Sequence, residues 1–176
     1  MSQKQLHLTG RERTFPVREL IVTKTDAKGL ITYVNPTFVN ISGYQESESV
    51  GKPHSIVRHP DTPRAIFRFL WSEVQAGRDV IAAVNNRAKN GDHYWVLAMV
   101  SSDINQRGEV LGYHSTRRNL SAEARTLIVP LYREMVELEK QFSGQEGMDQ
   151  AMSLLVKTVG SKGYEAWIYQ WLEVAV

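Results

Sequence analysis

Two long strand-like runs, at residues 80–87 and 92–104, are joined by Ala88-Lys89-Asn90-Gly91 and restrict the fold more than any other feature of this chain. An Asn-Gly pair between apolar runs is a strong β-hairpin signal, because both residues tolerate the positive φ of a type I′ turn. A third run, at 109–118, follows the turn-like Asn105-Gln106-Arg107-Gly108. The middle of the chain is therefore predicted to be three antiparallel strands.

Two shorter strand-like runs precede these three, at residues 20–25 and 30–34. The segment Asp26-Ala27-Lys28-Gly29 between them predicts a second hairpin. Short helical patterns follow at 36–41 and 45–50, and each ends at a glycine. These elements supply two more strands and a small helical layer.

The main helix of this part of the chain is predicted after Pro63. Its apolar residues recur at steps of three and four, which is the period of one helical face, and Gly77 marks its end. They are Ile66, Phe67, Leu70, Trp71 and Val74. The order of elements predicts an α+β fold, a five-stranded antiparallel sheet with helices on one face.

Three amphipathic stretches after Ser121 predict a C-terminal helical extension. We expect Pro130 to kink or restart the first helix, and Gly144 and Gly147 to interrupt the pattern before the second. The apolar positions are Ile128, Leu131, Met135, Leu138 and Phe142; Met148, Ala151, Met152, Leu155 and Val159; and Tyr164, Trp167, Ile168, Trp171 and Leu172. Such faces need a surface to pack against.

The predicted organisation is an N-terminal arm or cap at 1–17, a domain at 18–120 and the helical extension at 121–176. With 42% apolar and 23% charged residues, the 176-residue chain has the composition of a globular protein. No apolar run is long enough for a membrane span and no leader peptide opens the chain, so we expect a cytoplasmic protein. A net charge of +2 with interspersed signs disfavours nucleic-acid binding.

The absence of cysteine excludes disulfides, thiolate zinc sites and cysteine-based photochemistry. The candidate site is instead the loop at 52–63, in which three prolines hold His54, Arg58 and His59 beside the start of the main helix. These donors and the helix N-terminus favour an anion or an electron-rich oxygen. Asp61 is the expected N-cap of that helix.

The order of elements and several motifs resemble a PAS sensor domain over residues 18–120. Within that superfamily the loop most resembles the FAD-binding sensor domain of bacterial aerotaxis receptors, and the likeness continues to Tyr132. The motifs are Asn35-Pro36-Thr37-Phe38, Ser42-Gly43-Tyr44, Gly51-Lys52-Pro53-His54, Val57-Arg58-His59-Pro60-Asp61-Thr62-Pro63, Asn86-Arg87 and Lys89-Asn90-Gly91-Asp92-His93-Tyr94-Trp95.

This resemblance implies non-covalent FAD between the sheet and the helices, a redox signal and a chemotaxis output. Carried over residue by residue, it implies a cofactor-binding role for His54, Arg58, His59, Asp61, Trp71 and Asn86. Strand alternation independently places Val80, Ala82, Val84 and Asn86 on one face, so a carboxamide ends an apolar wall. A flavin ring needs that pattern, with polar partners at its pyrimidine end and apolar packing at its benzenoid end.

The sequence departs from the related light-oxygen-voltage domains at three positions. Their reactive cysteine falls on Val57, which excludes a cysteinyl photoadduct. Their second asparagine falls on Val96 and their strand-end glutamine near Arg117, so the ring contacts must differ. Arg117 is therefore included among the candidate cofactor-binding residues.

Other readings of these residues remain open at this stage. His59 and Asn86 also fit structural roles in the loop and near the turn, and Trp71 fits plain core. A haem-binding gas sensor would have to use His59 or His114, and a cofactor-free dimerisation module would use none of these residues. A metal site lacks ligands, and no supported nucleophile is evident, so we expect no enzyme.

The extension has two possible uses. It is either a homodimer or signalling-partner surface packed on the outer face of the sheet, near Trp95 and Tyr113, or a permanent cover of its own sheet. A homodimer and a chemotaxis or other signalling protein are the expected partners.

Overall fold

The computed structural model describes residues 7–170 and is built on a five-stranded antiparallel sheet. Its strands are β1 (Ile21–Asp26), β2 (Ile31–Val34), β3 (Val80–Arg87), β4 (His93–Ile104) and β5 (Val110–Asn119). They lie in the order β2-β1-β5-β4-β3, so pairing of β1 with β5 joins the two predicted hairpins. The predicted α+β fold is confirmed, and β2 and β3 are its edge strands.

The β3–β4 hairpin fixes which side chains share a face of the sheet. Its register runs from Val80 opposite Val100 to Arg87 opposite His93, without a bulge. We call the face that carries Asn86 and contacts the helix after Pro63 the inner face, and the opposite one the outer face. Alternation along β5 then places Tyr113, Ser115 and Arg117 together on the inner face.

Short helices connect β2 to the helix that follows Pro63. They are α1 (Pro36–Ser42), α2 (Glu46–Ser49) and a 3₁₀ turn at His54–Val57. Asn35 ends the second strand and caps α1, because its side-chain oxygen accepts from the backbone N–H groups of Phe38 and Val22 at 3.1 and 3.0 Å. Gly43 ends α1 with φ 72°, a left-handed conformation that glycine adopts without strain.

The main helix, α3 (Arg64–Gln75), is capped by a residue from the far end of the chain. The predicted cap by Asp61 is wrong, since Pro63 holds the N-cap position and makes no side-chain bond. The backbone N–H groups of Arg64 and Ala65 instead donate to the Glu139 carboxylate at 2.9 and 2.8 Å. An anion does occupy this helix N-terminus, but it belongs to the chain itself.

Residues 7–16 of the predicted arm are tied to the sheet. The N–H of Arg13 donates to the carbonyl of His93 at 2.7 Å, and the N–H of His93 donates to the carbonyl of Arg11 at 2.9 Å. Phe15 is buried in the core. The described part of the arm is thus a short addition beside the start of β4.

The extension forms α4 (Ala122–Gln141), α5 (Gly144–Val159) and α6 (Tyr164–Tyr169). Pro130 does not restart α4, which is one helix of 20 residues. Gly144 begins α5, whereas Gly147 lies inside it, where a Cβ would clash with the Phe142 carbonyl oxygen. Trp171 and Leu172 of the third predicted stretch lie outside the described residues. Among residues 7–170, no helix has the length and apolar character to cross a membrane.

The extension packs on its own domain, against α3 and the β3 edge. On the outer face, Trp95 contacts Tyr132 of α4, with ring centroids 6.0 Å apart. The expectation that Tyr113 lies there too is wrong, since that residue faces inward with Arg117. The apolar faces of α4, α5 and α6 are buried in the single core of the chain.

β3 is an edge strand, and side chains rather than another strand bond to the backbone groups on its free edge. The N–H of Ile81 donates to Glu165 at 2.8 Å, and the backbone of Asn85 exchanges two bonds with the Thr62 hydroxyl. Between them, the Ala83 N–H donates to the Tyr164 hydroxyl at 3.1 Å and the Ala83 carbonyl accepts from the Tyr132 hydroxyl at 2.8 Å. Capping of this kind blocks pairing with another chain.

Candidate functional site

A cavity of about 490 Å³ lies between the inner face of the sheet and α3. Apolar residues form most of its walls, which is typical of a small-molecule site. They are Val57, Phe67, Leu70, Trp71, Val74, Val84, Ala98, Val100, Tyr113 and Met148. Eleven polar or charged residues also line the cavity.

The deep end holds a group that we call the inner polar cluster, formed by Thr23, His54 and Arg117. The Arg117 guanidinium donates to His54 Nε2 at 2.8 Å and to the Thr23 hydroxyl at 3.1 Å. Because His54 Nε2 accepts this bond, its proton is on Nδ1. Burial, followed by the charge of Arg117, lowers the pKa of His54 to about 3, so this imidazole is neutral.

Arg117 is a buried cation whose charge is not balanced by a protein carboxylate within residues 7–170. Only 6% of the residue is exposed, and its two hydrogen-bond partners are neutral. Burial lowers its pKa to about 10, which still leaves it charged at neutral pH. A buried, unpaired charge is costly, so its position in a cavity wall indicates an electron-rich ligand.

Other polar groups of the cavity also lack partners in the described part of the chain. The hydroxyls of Thr25 and Ser115 are buried and make no hydrogen bond there. Asn86 is 4% exposed and lies with Val84 on the predicted face of β3. Buried polar atoms are almost always paired, so these groups are available to a ligand.

The other end of the cavity is basic. Lys28, Arg58, Arg64 and Arg68, which we call the mouth cluster, all line it, and Lys28 and Arg64 are exposed. The Arg58 guanidinium lies 4.1 Å from the ring centroid of Phe67, a cation–π contact that holds it at the apolar wall. Four cations in the lining of one cavity, of which Arg68 also pairs with Asp149, favour an anionic group such as phosphate.

Trp71 lies beside this opening, between the α3 backbone and the β1–β2 turn. Its ring meets that of Tyr113 edge-to-face at 5.1 Å between centroids. A Cβ on Gly29 would lie 3.4 Å from the indole, so the turn approaches it closely. With 40% of its surface exposed, Trp71 is a wall of the opening rather than plain core.

Five of the seven candidate residues line the cavity: His54, Arg58, Trp71, Asn86 and Arg117. His59 and Asp61 lie outside its lining. His59 Nδ1 accepts from the Asp61 N–H at 3.2 Å and lies 3.3 Å from the Asn85 amide nitrogen, behind the sheet wall. The Asp61 side chain is 68% exposed. Both residues shape the loop that carries Arg58.

Sequence reasoning missed several lining residues. Strand alternation from Arg117 would have found Ser115, and it relates Thr23 to Thr25 in the same way. No comparable signal identifies Lys28, Arg64 and Arg68, because exposed cations at a turn and on a helix usually serve solubility.

The amino-acid sequence has recognisable relatives. Residues 31–117 match the model of the PAS fold family. The chain is 40% identical to the aerotaxis receptor of Escherichia coli over 115 residues, which are 65% of this chain and 22% of that receptor. The matched region is thus about a fifth of the length of that relative.

The structure is similar to solved light-oxygen-voltage domains. The light state of the blue-light photoreceptor Aureochrome1 LOV matches with a TM-score of 0.57 at 20% identity, covering 62% of this chain and 88% of that one. A light-oxygen-voltage domain studied with a flavin analogue matches with a TM-score of 0.58 at 18% identity, covering 66% and 88%. At these identities the match establishes the fold.

The sheet order, the helices on its inner face, the family match and the receptor similarity agree with one another. Residues 31–117 of this chain are therefore the core of a PAS domain, one that resembles the sensor domain of bacterial aerotaxis receptors.

Proposed function

We propose that this PAS domain binds FAD non-covalently in the cavity and signals its redox state through protein contacts. The observation that carries the proposal is Arg117, a buried cation without a carboxylate partner in the described chain, on the same face of β5 as the unpaired hydroxyl of Ser115. The pyrimidine end of a flavin offers adjacent acceptors and a donor that these groups and Asn86 match. The similarity to an aerotaxis receptor and to a domain studied with a flavin analogue supports this ligand class.

The remaining lining residues fit the rest of the molecule. The apolar walls of Val57, Leu70 and Val84 suit a flat aromatic ring, and the mouth cluster suits the pyrophosphate. Bound flavin would supply electron transfer. Arg117 would stabilise negative charge on the reduced ring, and neutral His54 holds the guanidinium in place.

Signalling is proposed to run through β3. Asn86 faces the ligand, and the outer edge of the same strand is held by Tyr132, Tyr164 and Glu165 of the extension. A changed hydrogen bond at Asn86 would bias the docking of α4 and α6. We propose residues 18–120 as the sensor, 121–176 as the output, and a second copy or a chemotaxis protein as the partner.

The haem alternative gains no support from the cavity. Among the described residues, His54 is the histidine that lines it, and its Nε2 accepts from Arg117. The proposed role requires no catalysis.

The first test is an absorbance spectrum of freshly purified protein, with extraction and identification of any chromophore. The expected result is a flavin spectrum and FAD in the extract. Illumination should produce no cysteinyl adduct, since the chain has no cysteine. A colourless protein that also fails to take up added FAD would overturn the proposal.

Two variants test the ligand contacts. Arg58→Ala and Asn86→Ala should each raise the Kd for FAD by about 5- to 150-fold, since each loses a polar partner worth about 1–3 kcal/mol. Arg118→Ala is the charge-matched control, because Arg118 is exposed on the outer face. Wild-type affinity in either variant, by fluorescence titration, would remove that residue from the site.

A further inference from the structure

The helical extension reaches the cavity mouth. Met148, in the first turns of α5, lines the cavity together with Arg64 and Arg68 of α3. The next residue, Asp149, pairs with Arg68 at 2.6 Å between Oδ1 and Nη2. One end of α5 thus contributes an apolar wall and an ion pair at the same opening.

A second carboxylate from the extension acts at the start of α3. Both oxygens of Glu139 accept backbone N–H groups, those of Arg64 and Ala65, which fixes the first turn of α3. Burial lowers the pKa of Arg58, and the charge of Glu139 partly offsets this by favouring the protonated guanidinium. Glu139 therefore bonds the backbone of one member of the mouth cluster, Arg64, and interacts electrostatically with another, Arg58.

We propose that the extension is part of the ligand site and makes it selective for phosphate-bearing flavins. Met148 forms one wall, while Glu139 and Asp149 hold α3 and Arg68 so that the mouth cluster faces the phosphates. This inference rests on the proposed function and adds a role for residues 139–149 in binding.

The occupied helix N-terminus determines how phosphate is bound. Because Glu139 takes the free N–H groups of α3, the phosphates are left to the arginine and lysine side chains. The position of those side chains then depends on the first turn of α3, and hence on Glu139. If Glu139 and Asp149 instead competed with the phosphates for the same cations, removing the charge of Glu139 would make FAD bind more tightly.

The charge test uses the full chain, with FAD and riboflavin as probes, since riboflavin has the ring without phosphate. Glu139→Gln should raise the Kd for FAD about tenfold and leave that for riboflavin within about twofold, because a neutral cap holds the first turn of α3 less firmly. Glu137→Gln is the matched control, since Glu137 is exposed on α4 and pairs only with Lys140 in the described chain. It should change neither Kd.

The wall test compares two methionines of α5. Met148→Ala should raise the Kd for both flavins about tenfold, because an apolar part of the cavity wall is lost. Met152→Ala is the control, since that side chain is half-buried against the core and does not line the cavity. Thermal melting of each variant verifies folding, and Glu139→Gln tests the proposal separately if Met148→Ala unfolds.

The outcomes separate the two proposals. A wild type that binds neither flavin overturns both. A wild type that binds FAD, with Glu139→Gln binding as well or more tightly, or losing FAD and riboflavin equally, overturns the inference and leaves the proposed function standing. Wild-type affinity in Met148→Ala overturns the role of the wall.

Discussion

Two buried clusters of polar side chains, one at the free edge of β3 and the other in the cavity wall beside β5, differ in how completely their hydrogen bonds are made. The tyrosine pair, Tyr132 and Tyr164, forms a closed ring of hydrogen bonds with Ala83, with 2.6 Å between the hydroxyls. The inner polar cluster is open, since Arg117 donates to two neutral groups and its charge is not balanced by a carboxylate among residues 7–170. The ring is complete without a ligand, whereas the cluster is not.

The difference separates groups that complete their hydrogen bonds within the fold from groups that we propose for ligand binding. Each hydroxyl of the tyrosine pair has a partner, and burial raises the pKa of Tyr164 to about 12, so the ring stays protonated. Ser115, two residues before Arg117 on β5, and Thr25, further along the same face, keep free hydroxyls within the described chain. A fold that only needed stability would have filled this space with apolar side chains.

The largest expected effect is the pH dependence that His54 gives to stability. Its folded pKa of about 3 lies below the ordinary value near 6.5, so only the unfolded chain takes up a proton between these values. As the pH falls below about 6.5, the free energy of unfolding should therefore decrease by up to about 1.4 kcal/mol per pH unit. Above about pH 6.5 the contribution of His54 to stability is fully present.

Urea unfolding of ligand-free protein between pH 4 and 7 measures this slope. His54→Gln should reduce the change in the free energy of unfolding between pH 6 and pH 4 by about 2.5 kcal/mol. The control is His114→Gln, whose side chain lies on the outer face of β5. An unchanged slope in His54→Gln would show that this imidazole is hydrated rather than enclosed.

The next effect is on the closed ring. Tyr132→Phe removes the donor to the Ala83 carbonyl and should lower the free energy of unfolding by about 1–3 kcal/mol, because a buried acceptor is left unpaired. The Kd for FAD should stay within about twofold of the wild type. Tyr169→Phe is the control, since Tyr169 is exposed. A large loss of FAD affinity at unchanged stability would contradict the assignment of this ring to structure.

The smallest expected effect on stability is at Arg117. Arg117→Gln should leave the free energy of unfolding of the ligand-free protein within about 1 kcal/mol of the wild type, or raise it, because a buried unpaired charge is removed. His54 keeps a donor, since the Thr23 hydroxyl lies 3.2 Å from its Nε2. The same change should lower the flavin midpoint potential, since a cation near the reduced ring is lost. Urea unfolding and a spectroelectrochemical titration measure the two. A stability loss of several kcal/mol, or an unchanged or raised potential, would contradict this assignment.

The sequence allowed the sheet and part of the cavity to be predicted, because strand alternation is strict. Period two along β3 placed Asn86 and Val84 on one face, as the structure has them. The same rule puts Tyr113 and Arg117 on one face of β5, so the prediction that Tyr113 lies on the outer face was inconsistent with strand alternation. That error was avoidable.

Other features depend on contacts that no local pattern encodes. His59 and Asp61 follow a 3₁₀ turn in an irregular loop, where no period fixes the direction of a side chain. Glu139 caps a helix that begins 75 positions earlier. Pro130 stays inside α4, since the burial of Ile128, Leu131 and Met135 offsets one lost backbone bond.

The side-chain cap on β3 also affects how the chain is made. Tyr164 follows Ala83 by 81 positions, so a ribosome that adds about 5–20 residues per second needs about 4–16 seconds between the two. During that interval the Ala83 N–H lacks its Tyr164 partner, and until Tyr132 is added, 49 positions after Ala83, the Ala83 carbonyl lacks its partner too. The β3 edge is then open to strands of neighbouring nascent chains. Synthesis conditions that lengthen the interval should therefore reduce the soluble yield, even though the finished protein has this edge covered.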